Sequence, residues 1–307
     1  MTRVAAVDLG TNTTRLLVAD VEDGRLEALE RRETITSLGE GVDTRRRLLP
    51  APIARVRNCL VAYRRTAEAL GAERVLAVGT SAVRDAENGE AFLGEVEWSY
   101  GFTTRMLDGD EEALLTFRGV ASGRPLAAGT LVVDIGGGST ELIVGGPGGV
   151  DSHRSLDVGS VRLTERFGDD IEACAAQVRA ALPELAVSNA VGVAGTVANL
   201  ASLDLCLPAH DAARTDGHRV PRRSVAEQLV RLAALPLEER RRVPGLEPDR
   251  APVIVAGAVI LREVLDRYAL DSVEVSGNDL LDGAALEAAE LPAAEEGAAP
   301  PGAYTCC

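Results

Sequence analysis

The stretch LVVDIGGGSTELIVGG, Leu131–Gly146, decides the reading of the fold. An apolar run ends on Asp134. Gly136–Thr140 then carry almost no apolar surface, and a second run alternates with period two, the pattern of a β-hairpin. Glycines alone do not separate a spare turn from a loop whose backbone lies against a ligand. A second copy does. VAAVDLGTNTTRLLVAD, Val4–Asp20, matches it at an offset of 126 residues, setting Asp8 on Asp134, Gly10 on Gly136, Thr13 on Ser139, Thr14 on Thr140, Leu16 on Leu142 and Val18 on Val144. Two halves opening on the same hairpin predict a duplicated α/β chain, with a cleft between the halves and both turns facing it.

The rest of each half fits that plan. In the first, a third strand is expected near Leu26–Leu38. A helix follows over Pro50–Leu70, where Ile53, Val56, Leu60, Tyr63, Ala67 and Leu70 recur at helical spacing, and then a strand over Arg74–Val78 that ends in GTSAVRDAEN. The second half starts near Leu126. After its hairpin come helices near Gly159–Phe167 and Ile171–Leu182, a strand over Ala190–Val193, helices over Val225–Leu235 and Pro252–Leu270, and a strand over Ser272–Gly277. The expected domains are therefore residues 1–125 and 126–289. The Pro/Gly/Ala-rich residues 290–307 read as a disordered tail.

Composition removes several classes of function. All 32 basic residues of the 307 are arginine. A P-loop nucleotide site, which needs a lysine on the phosphates, and Schiff-base chemistry are both excluded. Three histidines, His153, His210 and His218, leave no H-E-x-x-H hydrolase, and five scattered cysteines give neither a zinc spacing nor a secreted disulfide framework. A net charge of −15 argues against a nucleic-acid binder. The first residues lack a signal-peptide core and no apolar run is long enough for a membrane span, so the expectation is a cytoplasmic protein.

The polar turns carry the chemistry. Successive amides in a glycine-rich turn form a nest for an anion, and Thr11, Thr13, Ser139 and Thr140 add hydroxyl donors. Asp8 and Asp134 end strands at these turns, where a carboxylate beside phosphate calls for a bridging hard cation; a turn-capping role is the plainer alternative. Glu141 stands where the first copy has Arg15, which reads either as division of labour or as two solvated strand faces. In LDGDEEALLTFRGV, Asp108 can cap a helix with Glu111 as its capping-box partner. Glu112 is then left as a spare carboxylate, or simply as an acid favourably placed on the helix dipole. Arg84 can grip phosphate bidentately, with an ordinary surface arginine as the alternative, and Gly195 and Thr196 in GVAGTVANL start a helix whose free amides suit an anion. Together these groups suggest phosphoanhydride hydrolysis, with Glu112 taking a proton from the attacking water.

AAVDLGTNTTRLLVAD, GTSAVRDAEN, GDEEALLTFRGV, VVDIGGGSTE, DVGSVRLTERF and GVAGTVANL together resemble the exopolyphosphatase/guanosine pentaphosphate phosphohydrolase family over about Val4–Leu286. The resemblance implies two ribonuclease-H-like domains of the actin, sugar-kinase and heat-shock ATPase superfamily, and release of terminal phosphate from polyphosphate with Mg²⁺ or Mn²⁺. It puts the catalytic base on Glu112, essential acids on Asp134 and Glu141, phosphate-binding glycines on Gly136, Gly137 and Gly138, and a phosphate-binding arginine on Arg84. The full set of expected phosphate contacts adds Thr11, Asn12, Thr13, Arg15, Ser139, Thr140, Gly195 and Thr196; the expected metal ligands are Asp8, Asp134 and Glu141. A homodimer is implied by the resemblance alone. The chain departs from the family pattern at GNDLLDG, Gly277–Gly283, where the usual arginine is missing and Asp279 and Asp282 add charge. Longer members carry a further helical domain, so a chain of this length is expected to favour short polyphosphate. Guanosine pentaphosphate hydrolysis, a small-molecule kinase of the same superfamily and a non-catalytic polyphosphate-binding protein are the competing readings.

Overall fold

In the first strand, β1 (Thr2–Leu9), alternate residues serve two different cores. Ala5, Val7 and Leu9 belong to one buried cluster, and Val4 and Ala6 to another. A strand buried on both faces needs cover on both sides, so a three-layer α/β unit follows. The computed structural model describes residues 1–292. It divides into two units, Met1–Gly123 with the chain from Leu280 on, and Arg124–Asp279.

In the first unit β1 is followed by β2 (Thr13–Glu22), β3 (Arg25–Ile35), α1 (Val42–Arg45), α2 (Pro50–Leu70), β4 (Arg74–Gly79), α3 (Ser81–Asp85), α4 (Gly89–Tyr100), β5 (Thr103–Met106) and α5 (Gly109–Gly123). Pro50 opens α2, where its missing N–H costs nothing, and Gly71 closes it with a left-handed φ of 77°. The sheet order is β3-β2-β1-β4-β5, antiparallel across β3-β2-β1 and parallel from β1 to β5.

The second unit runs β6 (Thr130–Ile135), β7 (Thr140–Gly146), β8 (Gly149–Leu156), α6 (Ser160–Phe167), α7 (Ile171–Ala181), β9 (Asn189–Val193), α8 (Ala194–Asp204), α9 (Ala212–Thr215), β10 (Arg219–Pro221), α10 (Arg222–Ala233), α11 (Leu237–Arg240), α12 (Ile254–Arg267) and β11 (Ser272–Val275). Its sheet order is β10-β11-β9-β6-β7-β8. The segment β8-β7-β6-β9-β11 repeats β3-β2-β1-β4-β5 in order and direction, so the duplication read from the hairpins extends through each sheet. Helix α12 is buried along nearly its whole surface, as an all-round apolar helix must be.

The last helix, α13 (Leu280–Ala288), corrects the expected division at residues 126–289. Its Leu280, Leu281, Ala284, Ala285, Leu286 and Ala288 complete the cluster that holds Val4, Ala6, Leu17, Leu76, Val78, Leu107 and Leu115, the second face of β1 and β4. A Cβ on Gly283 would lie 2.0 Å from the Leu115 carbonyl, so only glycine lets α13 approach α5 this closely. Leu291 still packs on the cluster; the tail expected from residue 290 lies, from 293 on, outside the described residues. The strand expected to reach Leu38 stops at Ile35, and α4, β5, β8 and β10 were not anticipated. Among the described residues no helix is long and apolar enough to cross a membrane.

Candidate active site

Both hairpin turns close in the same way. Gly10 N–H donates to the Thr13 carbonyl at 3.0 Å, and Gly136 N–H donates to the Ser139 carbonyl at 3.0 Å. The register sets Asp8 opposite Arg15 in one unit and Asp134 opposite Glu141 in the other. Cross-strand partners share a sheet face, so one copy pairs a carboxylate with a guanidinium and the other pairs two carboxylates.

In the first unit the Thr11 carbonyl accepts from Gly39 N–H at 2.8 Å, and the Asn12 carbonyl accepts from the amides of Thr36 and Ser37 at 3.0 and 2.9 Å. The Asn12 Nδ2 is buried and donates to no acceptor among the described residues. Arg15 Nε donates to Asp8 Oδ2 at 2.9 Å, and its Nη2 lies 2.8 Å from the same oxygen. The structure thus places Arg15, expected on phosphate, against Asp8, expected on metal.

Helix α5 opens as the capping argument required. Glu111 N–H donates to Asp108 Oδ1 at 2.8 Å, and Asp108 N–H donates back to Glu111 Oε2 at 3.0 Å. Arg105 also pairs with Glu111. Glu112, the next residue, is 5% exposed and meets Arg84, whose Nη1 donates to Glu112 Oε2 at 3.0 Å and to the Leu107 carbonyl at 2.7 Å. Burial pushes the Glu112 carboxyl up to about 7; the nearby Arg84 and Arg15 pull it down, and Asp8 adds to the rise. A carboxyl held near neutrality takes a proton from water and gives it up again within the working pH range.

In the second unit the glycine carbonyls are held from the start of α6. The Ser160 amide and hydroxyl donate to the Gly136 carbonyl at 3.0 and 3.2 Å, and the amides of Val161 and Arg162 to the Gly137 carbonyl at 2.8 and 3.1 Å. Arg162 Nε donates to the Gly138 carbonyl at 2.7 Å. A Cβ on Gly159 would sit 2.3 Å from the Gly137 carbonyl oxygen, so this approach needs glycine. Glu141 is 1% exposed, which removes the solvated-face alternative, and its Oε1 accepts from the Ser155 hydroxyl at 2.9 Å. The Thr140 hydroxyl is committed to the fold, donating to the Val158 carbonyl at 2.6 Å.

At the start of α8 the Arg250 guanidinium lies against Gly195, where a Cβ would fall 1.9 Å from its Cζ. Asn199 Nδ2 donates to the Gly195 carbonyl at 2.9 Å and to Glu247 at 2.7 Å, and Ala194 takes a left-handed φ of 65°. The Thr196 side chain packs on Gly257 of α12. In the GNDLLDG segment, Asp282 is wholly buried and paired with Arg31 inside the first unit, so its charge is structural. Sequence reading missed Ser155, Arg162, Asn199 and Arg250 as partners of these turns. The motifs DVGSVRLTERF and GVAGTVANL contain Arg162 and Asn199, whereas no motif marked Ser155 or Arg250.

The Ppx/GppA phosphatase family model matches residues 17–290. The chain belongs to this family. Exopolyphosphatase 2 of Mycobacterium tuberculosis is 38% identical over 90% of the chain and 95% of its own length. The guanosine-5'-triphosphate,3'-diphosphate pyrophosphatase of Aeromonas hydrophila is 28% identical over 89% of the chain and 56% of that protein. The crystal structure of the Aquifex aeolicus Ppx/GppA family member superposes with a TM-score of 0.77 at 30% identity, covering 93% of this chain and 97% of that one. The repeated β-β-β-α-β-α-β order is accordingly the actin-like, ribonuclease-H-like fold of the family.

Proposed function

We propose that the chain is an exopolyphosphatase that releases terminal orthophosphate from inorganic polyphosphate. The observation that carries the reading is Glu112: a buried carboxyl at about 7, held by Arg84 and left over from a completed capping box. Its ionised oxygen takes the proton of the attacking water as the water oxygen bonds to the terminal phosphorus. The bridging P–O bond breaks, and the shortened chain leaves as the anion. The amides after the Gly136–Gly138 carbonyls and the buried Asn12 Nδ2 are donors for phosphate oxygens. The higher identity to the relative named exopolyphosphatase than to the one named guanosine-5'-triphosphate,3'-diphosphate pyrophosphatase supports polyphosphate as the substrate.

Asp134 and Glu141 are a cross-strand pair of buried, hard oxygen donors on one sheet face. Asp8, the third expected ligand, belongs to the first unit. The Asp134–Glu141 pair still fits Mg²⁺ or Mn²⁺, which takes few carboxylates and completes its shell with water and substrate oxygens. When bound, the ion supplies charge stabilisation for the transferred phosphoryl group. We further read the protein as a cytoplasmic homodimer.

Phosphate release from tripolyphosphate, long-chain polyphosphate, guanosine pentaphosphate and ATP, measured side by side with Mg²⁺ or Mn²⁺, tests the proposal. Fastest release from a polyphosphate is expected. Preferential hydrolysis of guanosine pentaphosphate would replace the substrate and keep the mechanism. Transfer from ATP to a small acceptor, or binding of polyphosphate without turnover, would overturn the reading.

A further inference from the structure

The amides of Gly137, Gly138 and Ser139 have no backbone acceptor among the described residues, and the reason lies behind them. In a trans peptide the C=O of one residue and the N–H of the next point in opposite directions. Pulling the carbonyls of Gly136, Gly137 and Gly138 toward α6 therefore turns the next three N–H groups the other way, as a row of donors. Left alone, a run of three glycines samples many conformations, and ordering it costs more than ordering any other residues.

Helix α6 supplies most of this restraint at its first turn. Gly159, its N-cap, has no side chain to satisfy the first amides, and the loop carbonyls take that place. Those amides reach only Gly136 and Gly137. The Gly138 carbonyl, the last of the three, is held by the Arg162 side chain, 7% exposed, through Nε at 2.7 Å. In the first unit the backbone amides of Thr36, Ser37 and Gly39 hold the turn, and Arg55 Nε holds the Thr36 carbonyl at 2.6 Å.

We infer that Arg162 is a positioning residue for phosphate binding: it fixes the Gly138–Ser139 peptide so that the third amide of the row is presented to the anion. The inference rests on the reading of this turn as a phosphate site. A lysine at 162 keeps the charge and N–H donors but loses the planar fork, whereas methionine keeps an apolar stem and removes the donors.

The test uses the full chain labelled with ¹⁵N and titrated with orthophosphate, alongside steady-state kinetics on tripolyphosphate. In the wild type the Gly137, Gly138 and Ser139 amide signals are expected to move saturably with phosphate. In R162M the midpoint should rise about tenfold or more, since a small misplacement of a positioned donor carries a cost of that order or above. KM should rise with it more than kcat falls, and R162K should lie between the two. T164A is the control for damage to the helix, because the Thr164 hydroxyl bonds the Ser160 carbonyl within α6; it should keep the wild-type midpoint. If R162M does not fold, R162K decides: a raised midpoint supports the inference and a wild-type midpoint overturns it. A folded R162M with the wild-type midpoint overturns it too. Wild-type amides that stay still in phosphate overturn the phosphate-site reading itself.

Discussion

Replacing Glu112 by glutamine should cost turnover and raise stability, and the two effects have separate signatures. Moving a carboxyl from its ordinary 4.5 to about 7 corresponds to about 3 kcal/mol, at roughly 1.4 kcal/mol per pH unit. The sign follows from proton binding. Between those values the folded chain holds a proton that the unfolded chain has released, so stability falls as pH rises. The contribution is complete below about 4.5 and gone above about 7. Glutamine resembles the protonated form and does not titrate. E112Q should therefore be more stable than wild type by about 2 kcal/mol at pH 6 and about 3 kcal/mol at pH 8. For a protein of this size that is a melting-temperature gain of about 5 °C at pH 8, and about two-thirds of that at pH 6. The net charge of −15 at pH 7 keeps the chain clear of its isoelectric point at both values. Phosphate release should fall by about 10²–10⁴-fold, the usual worth of a general base. Thermal melts at the two pH values, paired with phosphate-release assays on the same samples, measure both effects. A melting shift that is equal at the two pH values refutes the buried ionised carboxyl, and unchanged turnover refutes its role as base.

Further outcomes follow from the same geometry. In wild type, kcat/KM for tripolyphosphate should lose about tenfold per pH unit on the acid side of about 7, because protonated Glu112 cannot accept the water proton; a profile flat down to pH 5 would contradict this. S155A removes the hydroxyl on Glu141 Oε1; with Glu141 as the proposed metal ligand, it should raise the Mg²⁺ concentration needed for half-maximal activity by about tenfold, with S155T restoring most of it. G283A should destabilise the first unit by about 1–3 kcal/mol, through overpacking against the Leu115 carbonyl. It should lower kcat as well, since α5 carries Glu112; denaturant unfolding and single-turnover rates check both.

What could be read in advance was local or repeated. The Asp108–Glu111 box needs only four consecutive residues, and its reciprocal bonds isolate Glu112 as expected. The hairpin match works because a duplicated turn leaves the same letters twice. Helix α2 shows its period because one face alone is buried. By contrast, β8 lies at a sheet edge with no buried residue, so its letters carry no alternation. Ser155 and Arg162 act across 14 and 24 residues of chain, on partners that only the folded sheet brings near. The charge on Asp282 read as a departure from the family pattern, yet it is paired with Arg31, 251 residues away. Long-range pairings of that kind leave no local pattern.

The return of α13 to the first unit has a consequence for how the protein is made. Synthesis runs from the N-terminus, and domains tend to fold as units while the chain emerges. The second unit is one continuous stretch and can close as soon as Asp279 has left the ribosome, but the first waits for its final helix. Until then the apolar face formed by Val4, Ala6, Leu17, Leu76 and Val78 stands uncovered beside the helix that bears Glu112. The half of the molecule that is started first is thus finished last, and a nascent chain stalled before α13 carries the proposed base on an incomplete support.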